Sequence, residues 1–495
     1  MDQYDIIIIG GGVVGCMIAR ELSRYSPKVL LIEKASDVGC GTSAANSALI
    51  HAGYDPLPGT IKAALNVAGN RMWDSLASEL DFDFTRCGDY VVAIGDEELP
   101  ALNRLKSQGI QNGVLGLKTL SAEEVRKRIP RINPEVSGAL FAESAGICDT
   151  FAVTIAAAEN ALHNGVEIRL NTEFKGFIIE KNVIRGIHTD RGDFGCQWVI
   201  NAAGLYADEV MHQANCRLDF KITPRRGEYC ILDPDLFRID TVIFPVPSEK
   251  GKGVLVFNTT HGNTVVGPTS EFVSDKEDKS ISPEGLNDLL KNVRKLIPSV
   301  DLRWTIATFA GLRATGNAPC PDPAIRYNSD FIVESAQEIH GLINCAGIES
   351  PGLTASPAIA LRVTELLKEE GVRLTPNPKW DPIRKRRPSP KHLSESERQK
   401  LIEADNRYGR IICRCEGITE GEIVAEIHAP IPARTYDAIK RRTWTGTGRC
   451  QGGFDMSRVV NILARELNIS PLEVRKNDPG SEFLFRESKT IGGKL

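Results

Sequence analysis

Along YDIIIIGGGVVGCMIARELSRY a β-branched apolar run, Ile6 to Ile9, gives way to glycines and then to apolar residues at helical spacing, Val14, Ile18 and Leu22. The run predicts a strand buried on both faces, as in a parallel sheet, and the spacing predicts a helix with one buried side. A second run, KVLLIEK, predicts the next strand, which ends at Glu33. Further on, TFAVTIAAAENALHNG carries Val153, Ala157 and Leu162 at helical intervals, with Thr150 as the expected cap. YVVAI, YCILD, VLVF and NTVVG are short strand-like runs expected to form a second sheet. From 371 the chain turns rich in proline and base with little apolar period, which predicts a solvated linker over 371–404. Beyond it, Thr419 and Glu422 form a capping box, Thr435 is placed to cap another helix, and MSRVVNILAREL predicts a third.

Length changes this picture by requiring more than one core: 495 residues exceed the roughly 250–300 at which a single core stops growing. The fold class expected is α/β. Charge changes it little. A formal net charge of −4 gives no reason to expect nucleic acid, and the basic run near 385 reads as exposed linker. The N-terminus lacks a basic leader, and no run approaches the ~20 apolar residues of a spanning helix. The expected location is therefore cytoplasmic, with no integral membrane segment. In a reducing compartment the twelve cysteines point to core positions or metal rather than disulfides. Cys16, Cys87, Cys196, Cys230 and Cys345 lie in apolar surroundings and read as core.

Gly10, Gly12 and Gly15 match G-x-G-x-x-G between a strand and a helix, and Glu33 follows 18 residues after the last of them. Such a turn brings a pyrophosphate to a helix N-terminus, while the acid accepts hydrogen bonds from a ribose. After Glu33 comes a long small-residue loop instead of another βαβ unit, which argues for FAD over a nicotinamide. These glycines, with GTSAANSALIHAGY, PGTIKA, VINAAGLYAD, PRRGEYCIL, TFAGLRATG and INCAGIESPGLTASPAIALRV, resemble the FAD-dependent glycerol-3-phosphate dehydrogenase and L-2-hydroxyglutarate oxidase group of the D-amino-acid oxidase superfamily. The resemblance implies a Rossmann-like FAD domain from 1–80, 145–215 and 325–370. An antiparallel-sheet substrate domain would come from 81–144 and 216–324.

It also implies site residues. His51 is the candidate base for a substrate hydroxyl, since imidazole titrates near neutral pH. Arg313 is the leading ligand for an anionic substrate, with Arg226 second and Arg225 its competitor. Tyr229 and His261 would line the cavity. Besides the glycines and Glu33, the cofactor would be held by Lys34, Thr42, Ser43, Ser47, Ala203, Gly204 and Gly347. Backbone N–H groups of Gly352, Leu353 and Thr354 would face the reduced flavin's negative charge.

At the other end, Cys413-x-Cys415 and Cys450 resemble a bacterioferritin-associated-ferredoxin-type [2Fe–2S] domain, expected over 405–495 and mainly helical. In GTGRCQGGFD the place of a fourth cysteine is held by Asp455. Either Asp455 ligates iron through oxygen, or the cluster is lost and Asp455 only caps the following helix. Three cysteines kept in register favour the ligand. The expected function is oxidation of sn-glycerol 3-phosphate to dihydroxyacetone phosphate, with electrons leaving through the cluster to a soluble acceptor or partner subunit; the sequence leaves the oligomeric state open. The alternatives are a dehydrogenase for L-2-hydroxyglutarate or another 2-hydroxy acid, and a non-enzymatic flavin and iron–sulfur electron carrier or redox sensor.

Overall fold

A computed structural model describes residues 1–214, 220–247, 252–316 and 330–486. The expected junctions at 215/216 and 324/325 and the end of the chain after 486 lie outside these residues. Two compact units are present, one comprising Met1–Lys34 and Val38–Arg384, the other Ala35–Asp37 and the chain from Lys385.

In the first unit a six-stranded sheet has the order Glu167–Arg169, Val29–Ile32, Ile6–Ile9, Trp198–Asn201, Leu342–Ala346, Ile332–Ser335. Its pairings are parallel except the last, with Ile6 opposite both Val29 and Trp198. Parallel strands need covering on both faces, and Ile6–Ile9 is accordingly buried throughout. The helix Val13–Leu22 packs against the helices Thr150–His163 and Gly352–Glu369. It is buried on more sides than a one-sided pattern predicts: Ile18, Leu22, Arg20 and Glu21 are all covered. The helix Thr150–His163 is capped by Asp149, whose carboxylate accepts from Phe151 and Ala152 N–H, and not by Thr150 as the sequence suggested. Of the cysteines read as core, Cys16, Cys196, Cys230 and Cys345 are buried and Cys87 is half-buried.

A nine-stranded sheet carries the strand-like runs, and its longest pairing joins Ile222–Leu232 to Thr305–Gly316 in antiparallel register, with Arg225 opposite Arg313 and Tyr229 opposite Phe309. Alternation sorts its side chains between two apolar layers. Val92, Cys230, Ile243 and Val256 face the helix Pro283–Leu296, whereas Val91, Tyr229, Phe244 and Phe257 face the layer that holds Leu49 and Tyr54.

The stretch 371–404 is not the featureless linker its composition suggested. Trp380 donates from its indole N–H to Ser23 at 3.2 Å, and Arg384 pairs with Glu159 at 2.9 Å. Glu395–Ala404 is a helix with a Ser394–Glu397 capping box. These residues are held by an aromatic ring, guanidinium pairs and a cap, which leave no apolar period to read. In the second unit the long continuous stretch of chain starts at Lys385. Its helices Glu420–Ile427, Tyr436–Thr443 and Met456–Leu467 enclose Ile423, Ile439, Val459 and Leu463. Thr419 and Thr435 cap the first two, as their spacing implies. Among the described residues no helix is long and apolar enough to cross a membrane.

Candidate active site

The glycine turn divides its labour between folding and ligand. Gly10 has φ +109°, and a Cβ on it would fall 2.5 Å from the Ala202 carbonyl oxygen. One on Gly15 would run into the Gly10 carbonyl. Both glycines are demanded by backbone packing. On Gly12, in contrast, a Cβ would meet only the Ser43 hydroxyl, at 3.3 Å. What the missing side chain keeps open there is the mouth of the helix Val13–Leu22, which has no side-chain cap. At that mouth Gly11 N–H donates to Glu33 Oε2 at 2.6 Å and Val13 N–H to Ser43 Oγ at 2.9 Å. A helix N-terminus with an open approach, a carboxylate and a hydroxyl suits the pyrophosphate and ribose of a dinucleotide, so the residues fit FAD. The Lys34 ammonium lies 3.5 Å from the centre of the Tyr206 ring.

The loop after Glu33 is clamped to the nine-stranded sheet. Thr42 Oγ1 donates to Leu312 O at 2.7 Å, and Gly311 passes so close to Ala45 O that no side chain fits. Ser47 Oγ meets Tyr229 OH at 3.1 Å, and the buried Tyr229 ring stacks on Phe309 at 4.5 Å. Ala203 and Gly204 begin the turn that leaves the strand Trp198–Asn201. Gly347 (φ +62°) opens the closing turn; Gly352, Leu353 and Thr354 form the first turn of the helix Gly352–Glu369. Thr354 Oγ1 accepts the His51 N–H at 2.9 Å, which ties that turn to the histidine.

His51 lines a pocket together with Tyr54, Asp55, Phe244, Lys252 and Pro351. Its Nε2 stands 3.3 Å from Ser350 Oγ. Burial, reinforced by the Lys252 charge, holds its pKa well below the ordinary 6.5, so the imidazole is neutral and can accept a proton. Lys252 Nζ reaches Ser350 Oγ at 3.4 Å and Asp55 at 3.1 Å. His261 is elsewhere, 3.5 Å from the capping carboxylate of Asp149, and is not among the pocket's lining residues.

The arginines sort by strand parity, and here the sequence expectation is corrected. Arg225 shares the Tyr229 face of its strand and donates to Glu349 at 2.9 Å. Opposite it, half-buried Arg313 donates to Thr269 O at 2.8 Å; burial and Arg225 pull its pKa down to about 10, and it stays charged. Arg226 points the other way, into Glu271 at 2.6 Å and Asp278 at 2.7 Å, with Glu228 at 3.7 Å. One residue of offset moves a side chain to the far face of a sheet. The competitor Arg225, not Arg226, accompanies Arg313.

Sequence reasoning missed Lys252, Ser350, Asp55 and the cluster in which Glu349 pairs with Lys62 at 3.0 Å and accepts from Thr315 at 2.9 Å. Lys62 and Glu349 stand in PGTIKA and AGIESPG; a charge inside a glycine-rich apolar segment was the available signal.

In the second unit Cys415 Sγ and Cys450 Sγ lie 3.6 Å apart. Burial and the adjacent Asp455 carboxylate push the Cys413 thiol up to about 12. Asp455 is fully buried; one oxygen accepts from Tyr436 OH at 3.0 Å, and Oδ2 has no hydrogen-bond partner among the described residues. Although Asp455 precedes the helix Met456–Leu467, its side chain caps nothing there. A buried carboxylate oxygen without a donor is costly unless a cation meets it. Among the described residues no three His, Cys, Asp or Glu side chains converge as a single ion would require. Two irons ask for two pairs, and the Cys415–Cys450 separation is near the ~3.8 Å edge of a tetrahedral site with metal–sulfur bonds of about 2.3 Å. The glycines of GTGRCQGGFD permit this: side chains on Gly446 or Gly452 would strike Tyr436 OH, and one on Gly448 would strike Cys415. The residues fit a [2Fe–2S] cluster.

Comparison with known proteins agrees. Residues 5–366 match the model of the FAD dependent oxidoreductase family, and residues 411–464 match that of the BFD-like [2Fe-2S] binding domain. The chain is 45% identical over 489 residues to a glycerol 3-phosphate dehydrogenase of Caloramator mitchellensis, with 99% of each chain covered. It is 29% identical over 405 residues to a mitochondrial L-2-hydroxyglutarate dehydrogenase of Arabidopsis thaliana, covering 72% of this chain and 82% of the other. Among solved structures, the dithionite-reduced, FAD-bound L-α-glycerophosphate oxidase of Mycoplasma pneumoniae superposes with TM-score 0.72 at 32% identity, covering 78% of this chain and 99% of that one. The chain therefore belongs to the FAD dependent oxidoreductase family, as an FAD-dependent enzyme that also carries a [2Fe–2S] domain.

Proposed function

We propose that the chain oxidises sn-glycerol 3-phosphate to dihydroxyacetone phosphate and passes the electrons through its [2Fe–2S] cluster to a partner. The observation that carries the reading is a neutral, buried His51 and the cation Lys252 facing one pocket, in a chain similar over its whole length to a glycerol 3-phosphate dehydrogenase. Bound FAD supplies the hydride acceptor and the cluster a one-electron outlet. His51 Nε2 takes the proton of the substrate hydroxyl as the carbon gives up its hydride, and Ser350 Oγ beside it holds the hydroxyl in line. Arg313 and Lys252 attract and orient the phosphate, with Arg225 and Lys62 balanced by Glu349 behind them. Gly12, Glu33, Ser43 and the helix mouth would hold the dinucleotide; Thr42 and Ser47 fix the loop, and Gly347 to Thr354 would supply backbone N–H groups to the flavin. Cys415 and Cys450 would ligate one iron, Cys413 and Asp455 the other.

The test is anaerobic addition of glycerol 3-phosphate or L-2-hydroxyglutarate while flavin absorbance is followed. Bleaching by glycerol 3-phosphate at a rate well above that of the 2-hydroxy acid is expected. Preferential bleaching by L-2-hydroxyglutarate would replace the phosphate with a dicarboxylate, and no bleaching by either would leave an electron carrier.

A further inference from the structure

Cys415 is exposed and Cys450 half-buried, so the cluster's second pair of ligands stands at the surface of the second unit. The residue joining that pair to solvent is Phe454. Its backbone N–H points at the Cys450 sulfur, while the residue as a whole is 75% exposed. Met456, two residues on, is 38% exposed. Around them the charges are unequal. In the ligand segments 412–417 and 446–458 the exposed cations Arg414 and Arg458 face only one acid at the surface, the half-buried Glu416, since Asp455 is buried.

An aromatic and a methionine flanked by arginines is the composition of an interface centre, where charged residues other than arginine are depleted. The position adds a reason. A [2Fe–2S] site with four anionic ligands carries net negative charge and gains one more unit on reduction, so it repels an acidic protein at the moment it must donate. Arginines flanking its ligands offset that repulsion.

We propose that the Phe454–Met456 surface, flanked in sequence by the exposed Arg414 and Arg458, is the docking face for an acidic one-electron carrier protein. Such a partner presents carboxylates around its own exposed redox centre. The Phe454 ring fills the centre of the contact, and one electron leaves the reduced cluster for the oxidised carrier in each encounter. The inference rests on the outlet role proposed above for the cluster.

The experiment uses the full holoenzyme with glycerol 3-phosphate as donor and two acceptor proteins of opposite charge, acidic plastocyanin and basic cytochrome c. Plastocyanin should be reduced at least about tenfold faster at low ionic strength, and added salt should erase the difference. Arg414→Glu with Arg458→Glu should invert the preference, and Phe454→Ser should slow plastocyanin reduction several-fold. In each variant the anaerobic bleaching of flavin by substrate should be unchanged. Iron content and the reduced EPR signal confirm that each variant keeps its cluster; Arg458→Glu alone, on the exposed side of its helix, serves if the double change loses it. Equal rates with both acceptors, failure of both, or a preference indifferent to charge reversal overturns the docking face while leaving the cluster in place. Wild-type enzyme without iron overturns the outlet role and the docking face together.

Discussion

Asp89 carries a carboxyl whose protonated form the fold favours. It is 2% exposed; one oxygen accepts from Tyr54 OH at 3.2 Å, and Oδ1 has no hydrogen-bond partner among the described residues. Burial raises its pKa from 3.8 to about 7, opposed by the Tyr54 hydrogen bond and Lys252 and assisted by Asp55. A carboxyl whose folded pKa is raised contributes stability that is complete below the ordinary value and is lost as pH climbs through the folded one. Roughly three pH units at about 1.4 kcal/mol each amount to something on the order of 4 kcal/mol. About 3 kcal/mol of that lies between about pH 5 and about pH 8.

Asp89→Asn preserves the shape and the acceptor for Tyr54 but does not titrate. Urea unfolding at the two pH values, followed through the fluorescence of released flavin, reports on the first unit. Relative to wild type, the variant should gain about 2–3 kcal/mol on going from about pH 5 to about pH 8. A difference between the two proteins that holds constant within about 0.5 kcal/mol would refute the protonated Asp89.

Four further outcomes are expected. Because burial and Lys252 depress His51, flavin reduction should not fall as pH drops through about 6.5; Lys252→Gln should move the acid limb upward, and stopped-flow pH profiles that coincide would remove Lys252 from the base's surroundings. Gly12→Val should give folded protein without flavin, whereas Gly15→Ala should fail to fold, as measured by flavin absorbance against circular dichroism; a flavin-replete Gly12→Val places the cradle wrongly. Arg313→Lys and Arg225→Ala should each raise KM for substrate about tenfold or more, while Arg226→Ala lowers the thermal midpoint and leaves KM alone; the reverse pattern would restore Arg226 to the site. Asp455→Ala should lose iron yet keep FAD, and Asp455→Cys should retain the cluster with a shifted reduction potential, read by metal analysis and EPR titration; unaltered iron in Asp455→Ala excludes it as a ligand.

What could be read from the sequence was what local rules dictate. Ile6–Ile9, the glycines and Glu33 lie within one βαβ unit, so spacing alone pointed to a dinucleotide cradle there. The capping box at Thr419 and Glu422 is equally local. Parity was not legible. In PRRGEYCIL either arginine fits an alternating strand, and only the Tyr229–Ser47 contact across 182 residues decides which faces the site. Lys252 and Ser350 were likewise invisible, since nothing in their own neighbourhoods announces that each reaches the other. At Asp455 sequence left two roles open; its orphaned Oδ2 and missing cap speak for one.

The strand order of the six-stranded sheet also sets a timetable. Ile6–Ile9 and Val29–Ile32 leave the ribosome first, yet their neighbours Trp198–Asn201 and Leu342–Ala346 come far later. At about 5–20 residues per second, the sheet waits roughly 15–70 s for its last interior strand. Until Trp198–Asn201 emerges, Ile6–Ile9 presents an unpaired apolar edge, and from then until Leu342–Ala346 arrives Trp198–Asn201 presents it, the kind of surface on which nascent chains aggregate or chaperones settle. The turn that begins at Gly347 emerges later still. A flavin held by both the glycine turn and the closing turn, as proposed, would then be a late ligand that locks a finished first unit.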